Sequence, residues 1–167
     1  MGIELVVANL TMKYLVYLSA DYANIQAATF QMDYNATIDV SGRAPTNMTL
    51  GTPKARCGAG AGYATVGGSG ALGQANNTGG PAYGTLFRPR LGGSMGGSRN
   101  VSGTIVAGGR GGSTMLITVG DLFSLEGNMW STGAVGPAGT DTGGGSGGAI
   151  MPDDFCHPSQ GLWRGYG

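Results

Sequence analysis

Charge is scarce in this sequence. Only 11% of its 167 residues are charged, nine basic and nine acidic, and the formal net charge is zero. That balance excludes a nucleic-acid binder working through a basic field. It also speaks against a charge-rich disordered tail. Cysteine and histidine are nearly missing, with two Cys and one His. A zinc site of ordinary ligand spacing needs a CxxC pair or a second His, and neither is there. No apolar run reaches the roughly 18 residues of a spanning helix, so no membrane span is expected. Proline stops at seven and glycine does not fall at every third position, which rules out collagen. Lys13 and Lys54 are the only lysines and neither follows a glycine, so a phosphate-binding loop is absent.

The N-terminus does not read as a signal peptide either. The first basic residue, Lys13, lies inside the first apolar stretch instead of ahead of it. A myristoylation signal fails because Val6 stands where Ser or Thr is required. Two expectations follow, a fragment of a longer secreted precursor or a start not defined by the gene, and the fragment is the favoured one.

What the chain has is glycine: 35 of 167 residues, about three times the roughly 7% of average usage. Residues 1–57 hold three (Gly2, Gly42, Gly51), residues 58–148 hold twenty-nine, and residues 149–167 hold three. This divides one continuous domain into N-terminal strand-rich coils (1–57), glycine-rich repeats (58–148) and a C-terminal coil (149–167). Glycine at this density offers no side chain to pack and costs backbone entropy on ordering. Either backbone must approach backbone closely, or turns must need positive φ.

Between the glycine clusters lie short stretches rich in β-branched and aromatic residues: 3–8, 14–18, 37–40, 104–107, 115–119, 129–130 and 162–163. Gly, Asn, Asp or Pro bounds each of them, which is strand-and-turn punctuation. Residues 19–34 offer a helix alternative through Ala20, Ala23, Ala27 and Ala28, against the strand preference of Thr29, Phe30 and Tyr34. A repeat joins 115–133 (MLITVGDLFSLEGNMWSTG) to 149–167 (AIMPDDFCHPSQGLWRGYG), 34 residues apart. In both, a glycine is followed two residues later by a large apolar residue and six later by another glycine. NATIDVSG (35–42) and SGTIVAGG (102–109) end in the same way. One short strand per unit, joined by glycine turns, suits stacked coils that share a continuous core.

Residues 79–150 resemble a glycine-rich repeat of large extracellular, adhesin-like proteins predicted to form parallel β-helices. The resemblance rests on GAGAGY (58–63), AYG (82–84), Pro89, GSMGG (93–97), MLITV (115–119), GNMWSTG (127–133) and GGGSGGAI (143–150), with IDVSG (38–42) like a preceding coil. It implies an architecture and a place outside the cell, and says little about activity. After Ile150 the chain departs from the pattern with MPDDFCHPSQ. The expected fold is thus all-β, a glycine-rich parallel β-helix-like solenoid.

Five of the eight asparagines open an N-x-Ser/Thr sequon: Asn9, Asn35, Asn47, Asn76 and Asn100. With 26 Ser and Thr among 167 residues, chance supplies about one. The excess points to a secreted or cell-surface, N-glycosylated chain. Cys57 and Cys156 then suggest one disulfide. Within the chain it would close a loop of about a hundred residues, worth about 4–5 kcal/mol in the chain-entropy model. A bond to a neighbouring chain is equally open.

Signals for catalysis are weak. GxSxG occurs around Ser94 and Ser146, but neither serine precedes a helical pattern, and glycine density supplies such matches by chance. His157 adjoins Cys156, and adjacent residues of an extended chain point apart. GAGAGY lacks the following helix and acidic residue of a dinucleotide site. GPAGTD (136–141) echoes a calcium-binding turn only once. Asp33 with Asp39, and Asp121 with Glu126, are the carboxylate pairs a glycan-cleaving enzyme would need. Tyr14, Tyr17, Tyr22 and Tyr34 concentrate in the N-terminal third, as in a core, a subunit interface or a sugar-stacking surface.

The expectation is a non-enzymatic structural subunit, without metal or cofactor, of an extracellular glycosylated filament, hair or cell-surface coat. It would assemble head-to-tail with itself or with related surface subunits. An adhesive or carbohydrate-binding module is the rival reading, and a β-helical glycan-degrading enzyme the third.

Overall fold

The computed structural model describes residues 1–53, 58–70, 78–85 and 90–154. Nine strands run in order: β1 (Ile3–Met12), β2 (Tyr17–Ser19), β3 (Ala23–Met32), β4 (Thr37–Asp39), β5 (Arg99–Val101), β6 (Thr104–Val106), β7 (Thr114–Leu125), β8 (Asn128–Trp130) and β9 (Ala149–Asp154). No described residue is helical. The helix alternative over 19–34 gives way to β3, whose Ile25, Phe30 and Met32 are fully buried.

Two parallel sheets enclose the core, one in the order β1-β3-β7-β9 and the other β2-β4-β8. β5 and β6 form a separate antiparallel hairpin. A long strand, a tight corner and a short strand make one layer, and three layers stack: β1–β2, β3–β4 and β7–β8. The first two layers are offset by 20 residues throughout, from Ile3↔Ala23 to Met12↔Met32 and again at Tyr17↔Thr37. Their corners match as well. Val16 N–H donates to Lys13 O at 3.1 Å and Ala36 N–H to Asp33 O at 3.0 Å. Leu15 and Asn35 each take positive φ at the same point, 62° and 58°.

Side chains line up in ladders across the layers. Leu5, Ile25 and Ile117 form one ladder, Leu10, Phe30 and Phe123 another, and Leu18, Ile38 and Met129 a third from the smaller sheet. The rings of Phe30 and Phe123 stack with centroids 5.3 Å apart. The buried positions of β3 are Ala23, Ile25 and Ala27, then Phe30 and Met32. The period-2 alternation therefore changes phase at Ala28–Thr29. β7 meets this with a bulge, pairing Ala27↔Val119 and then Thr29↔Leu122. Gly120 and Asp121 fill the bulge, where glycine is favoured.

The expected parallel β-helix-like solenoid is not found. In a solenoid every coil lays a further strand on the same sheets. Here the chain leaves both sheets after β4 and rejoins them only at Thr114. Among the described residues between, the glycine-rich segments contribute only the separate β5–β6 hairpin, because glycine has no side chain with which to fill a sheet-on-sheet core.

The glycine-rich segments instead pack backbone against backbone, with a hydrogen-bond period of three. Gly93 and Gly96 N–H donate to Gly112 and Gly109 O at 2.7 and 2.9 Å. Gly109 and Gly112 donate to Gly143 and Ser146, Gly143 and Ser146 to Gly97 and Ser94, and Gly145 and Gly148 to Ala134 and Ser131. Gly80 and Tyr83 likewise donate to Gly60 and Tyr63. A β-ladder repeats every two residues. A three-residue step belongs to the extended threefold helix of polyproline II type, which has no internal hydrogen bonds and must pair outward. GGGSGG (143–148) is the central segment, bonded to 94–97, 109–112, 131–134 and Ala61.

Space explains the composition of this bundle. A Cβ at Gly143 would lie 1.9 Å from Ala59 O, at Gly112 2.1 Å from Ser131 O, and at Gly96 2.2 Å from Gly143 O. Among the described glycines only Gly42, Gly58, Gly103 and Gly139 take positive φ. Close approach, and not turn geometry, accounts for most of the rest, whereas Gly68, Gly120, Gly144 and Gly147 have room for a Cβ. Sheet and bundle are continuous: Val40 N–H bonds Trp130 O, Ser113 N–H bonds Val40 O, and Ala44 N–H bonds Gly111 O.

Candidate assembly surface and the sequence-derived sites

The β1–β2 layer is an open end. β1 is the edge of the larger sheet and β2 the edge of the smaller. In a parallel ladder alternate residues bond to opposite neighbours. Ile3 N–H donates to Tyr22 O, so the N–H groups of Glu4 and Val6 face the open edge. The end is apolar. Val6 is 81% exposed, Leu15 66% and Tyr17 60%, and Val7, Tyr14 and Val16 are exposed with them. Leu5, Leu10 and Leu18 reach the core from this layer but are only half-buried, because no fourth layer covers them. The strand's one charged side chain, Glu4, accepts a 3.1 Å hydrogen bond from the Tyr22 hydroxyl. Proteins guard sheet edges with charge, proline and short strands. β1 is ten residues long, lacks proline and carries only that one tied charge. The opposite edge is different, since β9 carries Pro152, Asp153 and Asp154.

Polar ties join the end layer to the next. Tyr17 Oη donates to Asp39 Oδ2 at 2.6 Å, which pushes the Tyr17 hydroxyl pKa up. Burial alone would raise the Asp39 carboxyl, but hydrogen bonds from Tyr17 and Ser41, with the Arg43 charge, hold it below the usual value. Lys13 Nζ lies 3.7 Å from Asp33 Oδ2, and the rings of Tyr14 and Tyr34 stack at 6.5 Å. The tyrosines noted in the sequence thus ladder on the outside of the layers. None of the four is buried.

The sequons fall on different surroundings. Asn9, Asn47 and Asn100 are exposed. Asn9 Oδ1 accepts from the Thr29 hydroxyl, and Asn100 Oδ1 from Gly103 N–H at 2.9 Å. Asn35 is half-buried at a corner with φ 58°. Asn76 lies outside the described residues, as do Cys57, Cys156, His157 and Trp163. Of the second copy of the 34-residue repeat only 149–154 are described, and they do not keep its register. There the strands pair Thr114↔Ala149 and Met115↔Ile150, an offset of 35.

The two GxSxG serines are joined inside the glycine bundle. Ser94 is fully buried and Ser146 nearly so. Ser94 N–H donates to Ser146 Oγ at 2.9 Å, and Gly51 N–H donates to Ser94 Oγ at 2.8 Å. Each hydroxyl replaces a backbone partner in the lattice. A nucleophile elbow would need an exposed Oγ. Asp33 and Asp39 are tied as described, while Asp121 and Glu126 are exposed at and after the bulge. Asp141 of GPAGTD pairs with Arg99. Among the described residues no three His, Cys, Asp or Glu side chains group to hold a metal. Comparison with protein-family models, with curated proteins and with solved structures returned no match.

Sequence reading missed two features. The strained, exposed Leu15 leaves no trace in hydropathy. Arg43, Arg90 and Arg110 are 67 residues apart at their extremes and converge only through the bundle.

Proposed function

We propose that the chain is a structural subunit of an extracellular, N-glycosylated filament, hair or surface coat. It joins a second copy or a related subunit through the β1–β2 end. The observation that carries this reading is that end itself: a ten-residue unguarded strand edge with half-buried Leu5, Leu10 and Leu18 behind it. Burying about four apolar side chains there contributes about 6–12 kcal/mol gross, offset in part by lost translational and rotational freedom. Leu15 supports the reading, since a strained apolar residue left in solvent gains nothing until a neighbour covers it. The sequon excess, with three of its asparagines exposed, supports a place outside the cell.

Sedimentation of the wild type against Val6→Pro tests the assembly. Proline removes an N–H that faces outward, so the fold keeps its internal bonds while the edge loses a donor. The expected result is a concentration-dependent oligomer or fibre for the wild type and a monomer for the variant. A pair related by a twofold axis stops at two copies, whereas a head-to-tail contact grows. A wild type that stays monomeric at high micromolar concentration overturns the proposal. Intact mass before and after N-glycan removal tests the compartment. A secreted chain running at the peptide mass of 16.7 kDa overturns it.

A further inference from the structure

A groove of about 330 Å³ opens where the start of β3 meets the glycine bundle. Tyr22, Pro45, Met48 and Leu91 give it apolar walls, and Arg43, Arg90 and Arg110 reach it from three separate segments. Three of the four described arginines thus line one groove in a chain of zero net charge. Asp21 is the one carboxylate among the described residues that line the groove, so that lining carries +3 − 1 = +2, with Asp39 outside it but close enough to feel the Arg43 charge.

The arginines are not spent on one another. Arg110 is fixed by backbone carbonyls: its Nε donates to Ala44 O at 3.1 Å, and its Nη2 to Ala44 O at 2.6 Å and to Arg43 O at 3.2 Å. Carbonyls orient a guanidinium without cancelling its charge, and among the described residues the two N–H groups of Nη1 have no hydrogen-bond partner. Arg43 Nη1 stands 3.6 Å from Asp21 Oδ1, beyond a good hydrogen bond. Asp21 in turn also accepts from the Met1 amino group. Arg90 is exposed and has no ion pair among the described residues.

We infer that this groove binds a phosphate monoester carried on a body of about one ring. Charge decides the head group, because a local +2 matches the roughly −1.5 to −2 of a phosphate monoester better than a single carboxylate. Arginine geometry suits it, since guanidinium N–H pairs meet phosphate oxygens two at a time. Size decides the body: the volume lies at the lower end of the roughly 300–1,000 Å³ range of ligand pockets. The apolar walls take the ring while Arg43, Arg90 and Arg110 take the phosphate. The groove lies between the second layer and the bundle and not on the open β1–β2 edge, and the inference does not rest on assembly.

Isothermal titration of the full chain at low ionic strength tests it, with phenyl phosphate as the probe. The expected dissociation constant is millimolar or tighter, and it should weaken as salt rises. Arg90→Gln should weaken binding about fivefold or more. It removes a charge without touching any described hydrogen bond, so folding is not at stake. Arg99→Gln, outside the groove, should leave binding unchanged. Phenol should not bind, and inorganic phosphate should bind more weakly than the ester. No heat with phenyl phosphate at about 10 mM overturns the inference. So do equal affinity for phenol or inorganic phosphate and an unaltered Arg90→Gln.

Discussion

The sheet half and the glycine half of this molecule solve the same problem in opposite ways. Between the sheets, backbones stand apart and side chains such as Phe30, Ile25 and Met115 fill the gap, all of them fully buried. In the bundle there is no gap, and carbonyl oxygens occupy the places where Cβ atoms would go. One half derives its stability from apolar area removed from water. The other closes a lattice of backbone hydrogen bonds, each contributing only about 0.5–1.5 kcal/mol net, against the high entropy cost of ordering glycine. Removing carbon should therefore damage the first half, and adding carbon the second.

The largest effect is expected from Phe30→Ala. The ring is fully buried and stacked on Phe123, and such truncations cost about 3–5 kcal/mol. Chemical denaturation should show a lower midpoint with an unchanged slope. A loss below about 1 kcal/mol would mean that the layers are held by something other than this core.

Gly143→Ala comes next. A methyl group 1.9 Å from Ala59 O forces the central segment away from its neighbours, and overpacking costs about 1–3 kcal/mol, occasionally more. Gly144→Ala is its control, since the nearest atom to that Cβ is Ala134 O at 3.7 Å. There alanine restricts the unfolded chain and should be neutral or stabilising by about 0.4–1 kcal/mol. Adjacent glycines with opposite responses are the signature of packing at a three-residue step. Equal responses would reduce the bundle to a flexible loop.

The two halves were unequally readable from sequence. Ile3–Met12, Thr37–Asp39, Thr114–Leu125 and Asn128–Trp130 lie where apolar stretches bounded by Gly, Asn or Asp announce strands. Their 20-residue register stayed hidden because the two layers share only Ala8/Ala28, Met12/Met32 and Tyr14/Tyr34. What the layers have in common is pattern and corner geometry, and many residues satisfy both. The glycine half left two physical options open, close approach or positive φ, and composition alone does not choose between them. The choice depends on which segments become neighbours, and that is fixed by the sheets that carry the bundle. The same dependence defeats the solenoid expectation and hides the pairing of Ser94 with Ser146 and the convergence of the arginines. Each depends on contacts between distant segments that no local motif encodes.

A smaller effect sharpens the contrast within the sheet half. Leu15 and Asn35 occupy equivalent corners at φ 62° and 58°. Asparagine tolerates this left-handed region, whereas other non-glycine residues are strained there by about 1–2 kcal/mol. Leu15→Asn should therefore stabilise the isolated chain by about 1 kcal/mol, seen as a rise in Tm of about 2–4 °C. It should at the same time weaken association, because it removes exposed apolar surface from the β1–β2 end. A stabilised variant that associates as well as the wild type would take Leu15 out of the interface.

The smallest effect is a pH dependence confined to the sheet half. Tyr17 and Asp39 bridge β2 to β4 through a 2.6 Å hydrogen bond. The Asp39 carboxyl sits below its ordinary 3.8, so its contribution is complete above that value and is lost as pH falls through the lower folded value. The Tyr17 hydroxyl sits above its ordinary 10.0, chiefly because it donates to Asp39. Its contribution is complete below 10.0 and is lost as pH rises through the higher folded value. The bridge is therefore whole between these limits and fails on both sides of them. Amide-exchange protection of Ala20 and Thr37, whose N–H groups donate to Asp39 O and Val16 O across the bridge, corrected for intrinsic rates, should be flat across this window and fall at each end. Tyr17 is exposed and Asp39 only half-buried, so the fall should be modest. Tyr17→Phe keeps the ring and deletes the hydroxyl, and should remove both falls together. Protection of Gly112 and Gly143, whose bonds join backbone to backbone, should not follow the same profile. If the bundle amides lose protection in step with Ala20 and Thr37, the two halves open as one unit and the contrast between them is one of packing alone.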